Sequence, residues 1–250
     1  MPLPESKPLS VESVSFSSGV SLRGDLPKIL IYHTHTTEAY LPTERFAYTE
    51  SSRWRTNDSS RSVVAVGELL KEMLETKYGF CVLHDTTDHE PPKLSSAYER
   101  SEQTMLRYKE QYPSLELFID LHRDAFGKES TTPVDFITVD GEETARIMFV
   151  VGQGEKYTDK PYFDNNYRTA ERITSYLNAI HSKFARPIRV KTGRYNQHIA
   201  PNSLLIEIGH NANTLEQALH AVPYVAEGIA LAFAEAKNES PDWVPMPVRN

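Results

Sequence analysis

Residues 29–40 read ILIYHTHTTEAY, an apolar run that stops abruptly at His33, His35 and Glu38. A short continuous apolar run of this kind, with Pro27 just before it, reads as a strand buried on both faces. Two later stretches repeat the plan. LELFIDLHRDA (residues 115–125) ends in Asp120, His122, Arg123 and Asp124. SLLIEIGH (residues 203–210) holds Glu207 inside an otherwise apolar run.

Helical patterns lie between these runs. From residue 59, Val63, Val66, Leu70, Met73 and Leu74 fall on one face, with Asp58 or Ser59 as N-cap and Gly79 as the stop. Further helices are expected at residues 95–111, about 165–183 and 214–236, and further strands at 80–83 and 145–151. Strands that alternate with helices of this length predict βαβ units. Strands apolar on both sides predict that the sheet is covered on both faces. The fold class is therefore α/β: a single domain with a mainly parallel sheet and helices on both faces. Its expected limits are residues 28–236, between an irregular arm (1–27), rich in Pro and Ser, and an irregular tail (237–250).

In an open parallel sheet, ligands bind at the carboxyl ends of the strands. The three runs would bring His35, Glu38, His122 and Glu207 together there, from far apart in sequence. Two histidines and a carboxylate form the usual open catalytic zinc set, with the fourth position left for water. Zinc acidifies that water and polarises a carbonyl, and a separate carboxylate must then carry the proton. Glu207 suits that role, because a carboxylate in an apolar strand is costly without a partner or a purpose. His33 is an alternative to His35 if the first strand ends early. Asp120 and Asp124 suit orientation of His122. Arg123 is the nearest cation for an oxyanion, or else a salt-bridge partner of Asp120 or Asp124. His198 and His210 are possible site neighbours, and the remaining histidines read as surface or structural groups.

Composition narrows the classes without choosing among them. The 250 residues include 39% hydrophobic and 24% charged, with a net charge of −7. No basic block marks a nucleic-acid partner. The single cysteine, Cys81, cannot form an internal disulfide. No apolar run is long enough to span a membrane, and the first residues have no apolar core of a signal peptide. The absence of GxSxG disfavours a serine hydrolase.

Six stretches carry a resemblance: ILIYHTHTTEAY, RTNDSSRSVVAVGELL, HDTTDH, SSAYERSEQT, LELFIDLHRDA and APNSLLIEIGHNANTLEQA. In this order, from about residue 28 to 235, the chain resembles the stage II sporulation protein P family. More distantly, its strand ends look like those of zinc-dependent N-acetylmuramoyl-L-alanine amidases. The resemblance implies a peptidoglycan hydrolase that cuts the muramoyl–L-alanine amide, and also peptide cross-links, during engulfment of the forespore. It implies stage II sporulation proteins D and M as partners. It also implies an extracytoplasmic place at the septum between forespore and mother cell, with a membrane anchor. That anchor is not in this sequence, so residue 1 reads as an artificial start.

Carried over residue by residue, His35 and His122 take the places of the amidases' zinc histidines, and Glu207 that of their catalytic glutamate. The amidases draw their carboxylate ligand from the start of the first helix, which points to Asp58. The local HxxE spacing points to Glu38, as in zinc carboxypeptidases, and Glu38 is preferred. A polymeric substrate needs an open groove, with residues 40–57 (Tyr40, Tyr48, Trp54, Arg55) as one wall. The alternatives are a zinc carboxypeptidase acting on free peptides and a non-catalytic wall-binding or assembly module.

Overall fold

The computed structural model describes residues 20–125, 135–154 and 161–234. Strand β1 (Ile29–Tyr32) leads through a polar loop and a 3-10 turn (Ser59–Arg61) to helix α1 (Val63–Tyr78). There follow β2 (Val82–His84), α2 (Ala97–Gln111), β3 (Leu117–Asp124), β4 (Phe136–Val139), β5 (Glu142–Ala145) and β6 (Ile147–Gly152). Helix α3 (Phe163–Ile180), β7 (Arg189–Lys191), β8 (Ser203–His210) and α4 (Leu215–Ala232) complete the order.

Six strands form one sheet in the order β2-β1-β3-β8-β6-β7. The pairs β1–β2, β1–β3, β3–β8 and β6–β7 are parallel, and β6 runs antiparallel to β8. Alternation along β1 shows how the layers are covered. Ile29 and Ile31 join the larger core, packed with residues of α1, α3 and α4, whereas Leu30 and Tyr32 join a smaller core around Met105 of α2. Three helices thus cover one face and one helix the other. Sequestering each large aliphatic side chain contributes about 1.5–3 kcal/mol, so the three-helix side holds most of the fold's stability.

Local chemistry sets the ends of α1. Ser62, not Asp58 or Ser59, caps it by accepting from Val64 N–H, and Asp58 caps the preceding 3-10 turn instead. Gly79 ends the helix in the left-handed region at φ 68°, where a side chain would be strained.

Other expectations need correction. Residues 20–27 carry no helix or strand, as expected of the arm, but Leu22 among them is buried in the main core. The expected tail, residues 237–250, lies outside the described residues, as do residues 1–19. Within the run at 115–125 the strand starts at Leu117 and ends at Asp124, and β8 fills the run at 203–210. The hairpin β4–β5 was not foreseen. Its turn is Asp140-Gly141 with φ 52° and 87°, the pair of left-handed residues that a two-residue hairpin favours. Among the described residues, no helix is long and apolar enough to cross a membrane.

Candidate active site

The site begins as a register. His122 of β3 stands directly opposite Glu207 of β8, and Asp120 opposite Tyr32 of β1. Side chains two apart share a face, so Asp120, His122 and Glu207 all project toward the α2 side, the thinly covered one. Because β3 and β8 extend past these residues, the cluster lies on the face of the strands rather than beyond their carboxyl ends. A register shift between His122 and Asp124 follows it.

Glu38 arrives from the loop after β1. Its Oε2 lies 3.3 Å from His122 Nδ1 and accepts from Arg123 N–H at 3.2 Å. On its other side, Arg55 Nη2 stands 3.7 Å and Arg123 Nη1 3.9 Å from Oε1. The Arg123 side chain is buried, and it donates through Nε to Ala39 O and through Nη2 to Trp54 O, each at 2.8 Å. The guanidinium therefore braces the loop that delivers Glu38. The sequence expected it to meet an oxyanion or an adjacent aspartate; its donors are instead directed at main-chain carbonyls.

His35 stands with its ring centroid 5.5 Å from that of His122. Its Nδ1 is 3.3 Å from Oε1 of Glu90, which Arg55 and Thr37 also hold. Tyr98, in the first turn of α2, covers both histidines, edge-on to His35 at 5.8 Å and parallel to His122 at 6.4 Å. Tyr195 meets Tyr98 at 5.5 Å. Below them, Asp120 Oδ1 lies 2.9 Å from His122 Nε2 and accepts from Thr34 N–H at 2.8 Å, while Oδ2 accepts from the Thr34 hydroxyl at 2.7 Å. The His122–Asp120 contact is close but off the line a hydrogen bond needs, and His122 Nε2 keeps no such partner. Charge attraction, more than directed hydrogen bonding, holds this pair.

Charge in this dry setting divides the carboxylates. Burial works against an ionised Glu38, yet Arg123 and His122 outweigh it and hold the carboxyl well below its usual range. Burial likewise opposes a charged His122, and Asp120 and Glu38 overcome that and raise it well above the ordinary imidazole value. Glu207 goes the other way. Burial pushes it up to about 8, against the pull of His122 and with help from Glu38 and Asp124. It is the only position of β8 that is not fully buried, yet its Oε2 is shielded and has no hydrogen-bond partner. Two carboxyl groups near one imidazole are thus set apart, one a firm anion and one poised to exchange a proton.

The donor set suits a metal of zinc's type. The 3.3 Å between Glu38 Oε2 and His122 Nδ1 matches the edge of a tetrahedron with bonds of about 2.0–2.1 Å. His35 Nδ1 is buried without a hydrogen bond. Among the described residues, no three His, Cys, Asp or Glu side chains are drawn into a closed cage; His35 Nδ1 faces Glu90 and would have to leave it. Asp58 is exposed, and its Oδ1 accepts from Ser60 N–H and the Ser60 hydroxyl. It makes no contact with the histidines.

Other candidates lie apart. His33 is fully buried, with Nδ1 2.9 Å from Leu121 O and Nε2 2.9 Å from His84 Nε2. His198 faces Glu102, and His210 Nδ1 accepts from Ala212 N–H. Asp124 pairs with Arg186 at 2.9 Å. Of the expected groove wall, Tyr40 is buried with its hydroxyl on Ile208 O, whereas Tyr48, Trp54 and Arg55 are half-buried. Sequence reasoning missed Glu90, Thr34, Tyr98 and Tyr195. Tyr98 and the loop before Glu90 lie in stretches that carry the family resemblance, but no spacing rule assigns those residues a role.

The sequence model of the family described as stage II sporulation protein P matches residues 4–230. Stage II sporulation protein P of Bacillus subtilis (strain 168) is 27% identical over 225 residues, 86% of this chain and 53% of that protein. The chain thus spans about half the length of this curated relative. Among solved structures, the catalytic domain of CwlV, an N-acetylmuramoyl-L-alanine amidase from Bacillus (Paenibacillus) polymyxa var. colistinus, is 14% identical with a TM-score of 0.46; the match covers 83% of this chain and 97% of that one. The CwlD amidase from Clostridioides difficile, solved in complex with the GerS lipoprotein, is 16% identical with a TM-score of 0.47, covering 83% and 95%.

Proposed function

Because the chain belongs to the stage II sporulation protein P family, we propose that it hydrolyses peptidoglycan at the N-acetylmuramoyl–L-alanine amide, and at stem-peptide cross-links, during spore engulfment. The observation that carries this reading is the meeting of His35, Glu38 and His122 beside the shielded, unpartnered Oε2 of Glu207. His35, His122 and Glu38 would hold Zn²⁺, which when bound supplies a Lewis acid and an acidified water. Glu207 takes the proton of the attacking water and passes it to the leaving amine nitrogen. Arg123 holds the Glu38 loop in place, and Asp120 fixes the His122 ring. The family suggests stage II sporulation proteins D and M as partners and an extracytoplasmic, membrane-anchored site of action at the septum.

The carboxypeptidase alternative has less support, because it needs a cation for a terminal carboxylate. Arg55 is engaged by Glu90 and Thr37, and Arg123 by main-chain carbonyls. A module without catalysis would have no use for a carboxyl whose Oε2 is shielded and unpartnered beside two histidines.

The test is digestion of purified peptidoglycan, with new L-alanine amino termini counted for zinc-loaded protein, for chelated protein and for Glu207→Gln. The loaded protein should release termini and the chelated one none. Glu207→Gln should keep zinc and lose roughly 10²–10⁴-fold in rate. A chelated protein that digests at full rate would refute the zinc reading, and a Glu207→Gln protein at full rate would remove Glu207 from the mechanism.

A further inference from the structure

We infer that the Tyr98 hydroxyl donates the hydrogen bond that steadies the carbonyl oxygen of the scissile amide, which makes Tyr98 a catalytic residue. The inference rests on amide hydrolysis as proposed above and names a group that the reaction needs. As the carbonyl carbon becomes tetrahedral, its oxygen gathers negative charge. A donor fixed beside that oxygen before reaction is worth about 10²–10³-fold in kcat.

The two arginines near the site are committed elsewhere. Arg123 donates to Ala39 O and Trp54 O, and Arg55 to Glu90 and Thr37. Tyr98 is differently placed. Its ring spans both site histidines, at 5.8 Å from His35 and 6.4 Å from His122. Its hydroxyl makes no hydrogen bond with any described residue. Asp120, Glu207 and Glu38 are the charges that bear on it. Tyr98 is half-buried and its hydroxyl is not among the shielded polar atoms, so this donor, held over the two histidines, is open to a group that arrives with the substrate.

The surrounding chain holds Tyr98 still. Asn196 Nδ2 donates to Tyr98 O at 3.0 Å and to Ser101 Oγ at 2.9 Å. Ser101 Oγ in turn lies 2.8 Å from the Thr34 hydroxyl that binds Asp120. One hydrogen-bonded chain therefore ties the first turn of α2 to the carboxylate beside His122. Tyr195 and Asn196 adopt φ of 50° and 56°, and left-handed non-glycine residues persist where surrounding structure insists on them. Here that backbone brings Asn196 to the Tyr98 carbonyl and the Tyr195 ring against the Tyr98 ring.

The step moves no proton from Tyr98. The phenol keeps its hydrogen while the carbonyl oxygen accepts it as a hydrogen bond. The bond strengthens as the tetrahedral species forms and relaxes when the C–N bond breaks, the nitrogen leaving with the proton carried by Glu207.

The experiment compares Tyr98→Phe with the wild type on a purified muramoyl-tripeptide. The readouts are kcat, KM, zinc content, the melting temperature of the metal-free protein, and affinity for a phosphinate that mimics the tetrahedral species. Tyr98→Phe should lower kcat about 10²-fold and weaken the phosphinate by a like factor. KM, zinc content and melting temperature should stay unchanged. Tyr98→Leu, which also removes the ring, should in addition lower the melting temperature. A Tyr98→Phe protein that keeps kcat and phosphinate affinity within about threefold would overturn the inference alone, since a loss below that size is not a transition-state interaction. Loss of zinc or melting temperature in Tyr98→Phe would overturn it in favour of a packing role. A zinc-loaded wild type that releases no L-alanine termini would instead remove the amidase reading and, with it, this role.

Discussion

Replacing Arg123 with Met separates a brace from a catalytic cation. The side chain is 3% exposed. Its two hydrogen bonds, to Ala39 O and Trp54 O, end on the loop that carries Glu38. Trp54 itself sits at φ 57°, a strained position for an aromatic residue, so the loop depends on outside support. Met keeps most of the volume and removes every side-chain donor, leaving the main-chain N–H on Glu38. A buried acceptor left without its donor costs about 1–3 kcal/mol, and two are affected. Removing one partner of a buried charged pair costs roughly 3–5 kcal/mol; the two terms overlap because Arg55 and His122 remain near Glu38. The expected loss is therefore about 3–5 kcal/mol, a large part of the ~5–15 kcal/mol that holds a typical protein folded. For a chain of this size it corresponds to a fall of roughly 6–20 °C in melting temperature. Urea and thermal unfolding of the metal-free protein measure it. Arg123→Lys should fall between, since one ammonium cannot reproduce donors on two separate nitrogens. If Arg123→Met unfolds within 1 kcal/mol of the wild type while kcat drops a hundredfold or more, Arg123 is a catalytic cation and the bracing argument fails.

Further outcomes follow from the same geometry. Glu38→Ala should strip zinc, whereas the exposed Asp58→Ala should leave zinc in place and cost only a cap, about 0.5–2 kcal/mol; elemental analysis with unfolding curves decides, and zinc lost only from the Asp58 variant would reverse the assignment. Gly67→Ala should destabilise by about 1–3 kcal/mol, because its Cβ would lie 2.8 Å from both His33 Nε2 and His84 Nε2; a neutral result in urea unfolding would show that the imidazole pair can move. His210, lowered to about 4 by burial and Arg186, binds its proton less readily folded than unfolded. Its contribution to stability is complete above the ordinary imidazole value of 6.5 and is lost as pH falls from 6.5 toward 4. His210→Gln should flatten that part of the stability curve, and an unchanged slope would place the titration elsewhere.

The strands that build the site were legible because they are short and apolar on both sides, the pattern of a doubly covered sheet. His35, Glu38, His122 and Glu207 stood out because such groups are costly to bury without a task. What stayed hidden depends on meetings across the fold. Nothing in HDTTDHEPP says that Glu90 reaches His35, and nothing beside Arg123 says that its partners are the carbonyls of residues 39 and 54. The antiparallel course of β6 was likewise invisible, since a buried apolar run carries no direction. The β4–β5 hairpin was readable in principle. Asp140-Gly141 is a strong turn signal, but the flanking strands alternate too weakly to have drawn attention. Strand β7, three exposed residues at the sheet edge, leaves no pattern at all.

The pairing of β3 with β8 explains why the site tolerates so awkward a group as Glu207. Because His122 and Glu207 are register partners, a slip of one residue would turn one of them to the opposite face. The neighbours forbid that slip. Ile206 and Ile208 belong to the core under α1, α3 and α4, and Leu205 to a cluster on the Glu207 side. A shifted register would drive a carboxylate into the three-helix core and bring isoleucines to the active face. The apolar residues around Glu207 therefore do two things at once. They withdraw water from its carboxyl and so raise its proton affinity, and they fix it beside His122 within a sheet too well packed to yield. The same burial that makes Glu207 costly to the fold makes it available to the chemistry.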